Sequence, residues 1–173
     1  NMETLKCEDC HEDVFANRET NPQHQQHLDD LACQVCHSVA YKSCYSCHAA
    51  VSEEGKPYFT TDPLKIDFKI GLNPIQSEER PQKYVVLRHP PTNRHIFDFY
   101  GENLLPDFDS VPTWKYATPH NIQLKTPQNE SCDACHSNTD LFLTKEDIRP
   151  EEKEPNKDVV VTEFPEKAGE LPQ

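Results

Sequence analysis

Eight cysteines fall into four pairs with two residues between partners: Cys7/Cys10, Cys33/Cys36, Cys44/Cys47 and Cys132/Cys135. A histidine follows each pair at once (His11, His37, His48 and His136), so Cys-x-x-Cys-His occurs four times and no cysteine is left over. Two thiols at this spacing can add to the two vinyl groups on one edge of a porphyrin, and the adjoining imidazole can bind its iron as the proximal ligand. The chemistry that suits this pattern is covalent attachment of a c-type haem, four times over.

Zinc sites and disulfides also use paired cysteines. Cys33, Cys36, Cys44 and Cys47 alone would pass for a four-thiolate knuckle, and an even count suits disulfides. Neither has a use for a histidine after every second cysteine. With nine histidines in 173 residues, four such matches by chance are on the order of one in a hundred thousand, which makes the repeated motif a strong signal.

The other axial position of each iron separates an electron carrier from an enzyme. Five further histidines are available: His24, His27, His89, His95 and His120. Four irons need four distal ligands, so all four haems can be bis-histidine and closed to substrate. The expected set is His24, His27, His89 and His120, with His95, in the polar stretch Asn93-Arg94-His95, as the spare. The single methionine is Met2, so histidine–methionine ligation is open to one haem at most. Bis-histidine ligation lacks the thioether that raises the potential, and low potentials follow. No catalytic residue is expected; a multihaem reductase would need an iron with an open face.

Several elements must position these side chains. Asn21-Pro22 reads as a helix start, cap then first turn, with Leu28, Leu31 and Val35 as its apolar residues. His24 and His27 then share a helical face, three residues apart, and can serve two neighbouring irons. This helix is expected to run into Cys33-Gln34-Val35-Cys36-His37, and the third motif follows so soon that the second and third haems must be close neighbours. Residues 83–88 read as a strand ending at His89, stiffened by Pro90-Pro91, and Leu64, Ile66, Phe68 and Ile70 alternate in a partner strand. His120, after Pro119, lies shortly before the fourth motif and is a candidate for that haem. Trp114, Tyr116, Phe97, Phe99 and Tyr100 read as haem packing rather than electron relays.

Composition fits a thin protein core. Only 35% of the chain is apolar and it has 15 prolines, so the expected fold is mostly irregular and haem-cored, with short α-helices and a few short β-strands. Residues 1–148 form the expected tetrahaem domain. Residues 149–173 are charged and proline-rich and read as a tail, with the β-prone island Val159-Val160-Val161-Thr162-Glu163-Phe164 suited to adding a strand to a neighbouring molecule. Asn129-Glu130-Ser131 matches a glycosylation sequon, a weak signal by itself.

Haem attachment of this kind takes place outside the cytoplasmic membrane, so an exported protein is expected, its leader removed ahead of Asn1. No apolar run is long enough to span a bilayer. A formal charge of −13 argues against nucleic acid or anionic lipid as partners.

The order of features carries a resemblance. A first motif at Cys7–His11 is followed by His24-x-x-His27, two close motifs across Cys33–His48, Arg88-His89-Pro90-Pro91, Thr118-Pro119-His120-Asn121, and a final motif at Cys132–His136. This order resembles the small tetrahaem cytochromes that polymerise into extracellular nanowires, the outer-membrane-cytochrome E type and its archaeal relatives, over most of residues 1–148. The resemblance implies a cell-surface filament that conducts electrons through stacked haems, with one distal histidine supplied across each subunit boundary; by position His24 or His27 is the expected donor. A monomeric periplasmic shuttle has the same haems without the subunit contacts. Other redox proteins or extracellular acceptors are the remaining expected partners.

Overall fold

A computed structural model describes residues 5–44, 50–58, 64–65, 68–90, 95, 97–136 and 138–166. The third motif falls outside them apart from the backbone of Cys44. Four short helices are described: α1 (Glu12–Ala16), α2 (Pro22–His27), α3 (Cys33–His37) and α4 (Cys132–His136). Seven strands accompany them: β1 (Lys42–Cys44), β2 (Ala50–Val51), β3 (Pro57–Tyr58), β4 (Leu64–Lys65), β5 (Phe68–Leu72), β6 (Tyr84–Arg88) and β7 (Lys115–Tyr116). The rest is largely irregular, as the composition led one to expect, with single turns of 3-10 helix between the elements.

The organising element is an antiparallel sheet in the order β5-β6-β7. Its register sets Ile70 opposite Val86 and Gly71 opposite Val85. The β-branched residues favour a pleated strand, and Val85, Val86 and Leu87 are buried in succession, so β6 is covered on both faces. The sheet continues irregularly beyond β5: Phe142 bridges Ile70, Leu143 N–H donates to Ile70 O, and Val161 N–H donates to Leu143 O. The expected pairing of residues 68–70 with 83–88 is therefore seen, while Leu64-Lys65 pairs with β1 instead.

The core gathers Val35 from α3, Ile70 and Val85–Leu87 from the sheet, and Trp114, Phe142, Leu143, Ile148 and Val159–Val161. Leu87 and Leu143 are fully enclosed, and each such side chain contributes roughly 1.5–3 kcal/mol relative to exposure. Trp114 Nε1 is buried without a hydrogen-bond partner, the one such side-chain atom among the described residues.

Two sequence expectations need correction here. The helix that begins at Asn21 stops at His27 instead of running into Cys33, because the chain turns to meet β6: Leu31 bridges Tyr84, Tyr84 N–H donates to Asp30 O, and Ala32 N–H donates to Tyr84 O. The segment from 149 onward is no free tail as far as residue 161. Val159, Val160 and Val161 are only 2–5% exposed, so the β-prone island spends its apolar side chains on this chain's own core.

Candidate functional site

The three motifs within the described residues all adopt a single helical turn. α3 and α4 coincide with the pentads Cys33–His37 and Cys132–His136. In the first motif Cys7–Asp9 is a 3-10 turn, and the N–H groups of Cys10 and His11 both donate to Cys7 O, at 3.2 and 2.9 Å. One turn places positions i, i+3 and i+4 on a common face, so both thiols and the imidazole of each motif present themselves together. These cysteines form no disulfides: Cys7, Cys10, Cys33, Cys36, Cys132 and Cys135 are free thiols.

The second motif lies close to both of the other two. Burial, and then the neighbouring Cys7 thiol, push Cys33 up to about 11. Burial, and then Cys135, push Cys36 up to about 11. Cys135 is itself raised by burial. These groups stay neutral at ordinary pH, and Cys33 lies near Cys7 while Cys36 lies near Cys135.

α2 is held in place by its cap. Asn21 Oδ1 accepts hydrogen bonds from the backbone N–H groups of Gln23 and His24, at 3.0 and 3.2 Å, and Pro22 opens the first turn without an N–H to satisfy. The two histidines that the helix presents meet two different motifs. The His24 and His37 rings have centroids 6.2 Å apart, and those of His27 and His136 are 5.9 Å apart. Two imidazoles trans across one metal, each at the bond of about 2 Å usual for an imidazole nitrogen, have centroids about 6 Å apart.

Ring packing alone tolerates that spacing, but the hydrogen bonding narrows the choice. His27 Nδ1 donates to Gln23 O at 2.8 Å, His37 Nδ1 to Gln123 O at 3.1 Å, and His136 Nδ1 to Glu166 O at 2.7 Å. A carbonyl oxygen only accepts, so each Nδ1 carries a proton, which leaves Nε2 as the nitrogen that can offer a lone pair in the neutral ring. This is how ligating histidines are oriented in metalloproteins. His24 is held below its usual value, chiefly by burial and then by His37, and stays neutral as a ligand must.

No family model, curated protein or solved structure matches this chain. The reading of the site therefore stands on its donors. Among the described residues no three His, Cys, Asp or Glu side chains converge into a cage for a bare ion; the histidines come in opposed pairs beside paired thiols. That donor set fits a c-type haem, with Cys33/Cys36 and Cys132/Cys135 for attachment and His37/His24 and His136/His27 for the two axial positions.

The other candidates are dispersed. His11 is exposed beside Cys7 and Cys10, and His120 is exposed as well; the ring beside His136 is that of His27, where sequence order had suggested His120. His24 or His27 is the donor expected to reach across a subunit boundary, yet both rings lie beside histidines of their own chain. His95 is exposed and donates from Nδ1 to Asp98 Oδ2 at 2.7 Å. His89 is half-buried, with Nε2 3.1 and 3.0 Å from the two carboxylate oxygens of Glu152. Cys47 and His48 lie outside the described residues. Of the aromatic residues, Trp114 joins the core, while Phe97, Phe99 and Tyr100 form an exposed cluster.

Other residues matter that the sequence did not single out. Gln128 donates to Val35 O and Ser38 O, and Thr126 to Cys36 O, so residues 121–129 wrap the end of α3 and aim His37. Asn129 spends both ends of its amide on Thr126 N–H and Leu124 O, a capping role that accounts for it without a glycan. Glutamine and threonine in a loop carry no periodic signal, and only the fold reveals their targets.

Proposed function

We propose that this chain is an electron-transfer protein that carries four covalently bound c-type haems and serves as a subunit of an extracellular cytochrome filament. The observation that carries the reading is the pairing of His24 with His37 and His27 with His136 at a separation suited to two axial ligands. The haems, when attached, supply iron that cycles between two oxidation states. The chain supplies attachment and orientation. The two thiols of each motif would hold a haem covalently, and the motif histidine with a second histidine would ligate its iron, which would deny substrate an open coordination position and favour carriage over catalysis.

Short separation between redox centres favours transfer. α2 offers ligands to two different motifs from one turn of helix, and Cys33 and Cys36 lie beside Cys7 and Cys135. Three of the four attachment points are thereby close together, with the second motif near both of the others. The bis-histidine sets point to low potentials.

The filament part of the proposal draws on the order of motifs that resembles the nanowire cytochromes. With His24 and His27 turned inward, a histidine exchanged between subunits comes from the rest of the set. Among the described residues no helix is long and apolar enough to cross a membrane, and export with removal of a leader belongs to the same proposal.

The test has two stages. Intact-mass measurement of protein made with a haem-attachment system should show an increment of four haems; a bare chain would overturn the reading. Electron microscopy of the haem-replete protein should then show thin uniform filaments, whereas separate particles at high concentration would leave a monomeric periplasmic shuttle.

A further inference from the structure

Five histidines compete for four distal positions, and the hydrogen bonds sort them. We infer that His89 is no haem ligand but a latch that clamps the C-terminal segment to the sheet, and that His95 takes the distal position in its stead. This rests on the tetrahaem reading above and refines its ligand set.

His27, His37 and His136 spend Nδ1 on an acceptor, which assigns the lone pair to Nε2. His95 follows the same pattern, with Asp98 Oδ2 accepting from Nδ1, and a carboxylate in that place strengthens a ligating imidazole. His89 is reversed. Its Nε2 faces both oxygens of Glu152, so that nitrogen carries the proton, and only Nδ1, crowded by its own Cβ and main chain, is left to offer a lone pair.

The surroundings of His89 explain the reversal. Glu152 is 2% exposed, and a buried carboxylate must keep a hydrogen-bond donor; the Arg149 guanidinium is 3.9 Å away and half in water. Four contacts close a ring. The His89 imidazole packs edge-on against Trp114, centroids 5.4 Å apart. Trp114 and Thr113 donate their backbone N–H groups to Asn156 Oδ1, and Asn156 Nδ2 donates to Glu152 O. Glu152 returns to His89. The ring ties the end of β6 and the Thr113-Trp114 stretch to residues 152–156, which lead directly into buried Val159–Val161.

The experiment compares His89→Gln, Glu152→Gln, their combination, and His95→Gln in the haem-replete protein, read by electron paramagnetic resonance and by denaturant unfolding. The expected result is that His89→Gln keeps all four haems low-spin but lowers the unfolding midpoint. Glu152→Gln should do the same, and the pair together should cost less than the sum of the single variants. His95→Gln should turn one haem in four high-spin. One high-spin haem in His89→Gln with four low-spin haems in His95→Gln would overturn the inference. If His89→Gln does not fold, the His95→Gln spectrum alone decides. A chain that acquires no haem at all sinks the tetrahaem reading; the latch then stands or falls on the coupling between positions 89 and 152 in unfolding.

Discussion

The His27 and His136 rings lie nearly perpendicular to each other, centroids 5.9 Å apart, although one belongs to the second helix and the other closes the last motif. If both bind one iron, His27→Ala should convert one haem of four to a high-spin or five-coordinate state. His24→Ala should do so at a different haem, and the double variant at two. Magnetic circular dichroism distinguishes these cases. His27→Met should leave that haem six-coordinate and raise its potential alone, which a spectroelectrochemical titration would resolve as one wave moving away from the rest.

Gly71 lets β5 pass close to Leu87 and to the backbone of Val159. A Cβ built there collides with Leu87 Cδ1 and comes within 2.8 Å of Val159 O. Gly71→Ala should destabilise the fold by about 1–3 kcal/mol, measured by denaturant unfolding. Trimming Leu87 in addition should not restore stability, because the backbone oxygen of Val159 stays in place and Leu87→Ala opens a cavity of its own.

Asn156 is fully buried and serves Thr113 and Trp114 N–H through one oxygen, and Thr113 Oγ1 and Glu152 O through its nitrogen. Asn156→Ala leaves two buried donors without an acceptor, a loss of roughly 2–5 kcal/mol. Unfolding midpoints should show it, and hydrogen exchange at residues 113–114 should accelerate.

Acid stability offers a further check. Burial pushes the Asp147 carboxyl up, but Thr144 and the Lys69 ammonium at 3.0 Å outweigh it and hold the group below its usual 3.8. A depressed carboxylate contributes stability that is present above the unfolded value and fades as pH falls through the folded one. Asp147→Asn should therefore cost up to about 1 kcal/mol at neutral pH, since the pair is partly in water. The gap between variant and parent should close below pH 3.8; a gap that persists in acid would show that the loss comes from another contact.

How much of this was legible in the sequence depends on the kind of signal. Cys-x-x-Cys-His is local, and a single helical turn satisfies it, so Cys33–His37 and Cys132–His136 could be read directly. The Asn21 cap and the strand at 84–88 were local too. Which histidine meets which was not, because His27 reaches His136 only through the way α2 and α4 dock on the rest of the chain. Residues 149–161 misled for a related reason. Glu152, Asn156 and the valines sit among lysines, glutamates and prolines, and average composition hides a few buried side chains whose partners are distant in sequence. The end of α2 at His27 was equally hidden, since Leu28 and Leu31 keep a helical spacing and only the pull of Tyr84 explains why the chain leaves the helix.

Val159–Val161 also set the timing of folding. The sheet edge at Leu143 and the space beside Gly71 are completed by residues that a ribosome adds long after Cys33 and Cys36. Until Val161 has emerged the core stays open. A chain cut short before Val159 would leave Leu143 O without the Val161 N–H and part of the core open to water, so the last described residues close the fold that the first ones begin.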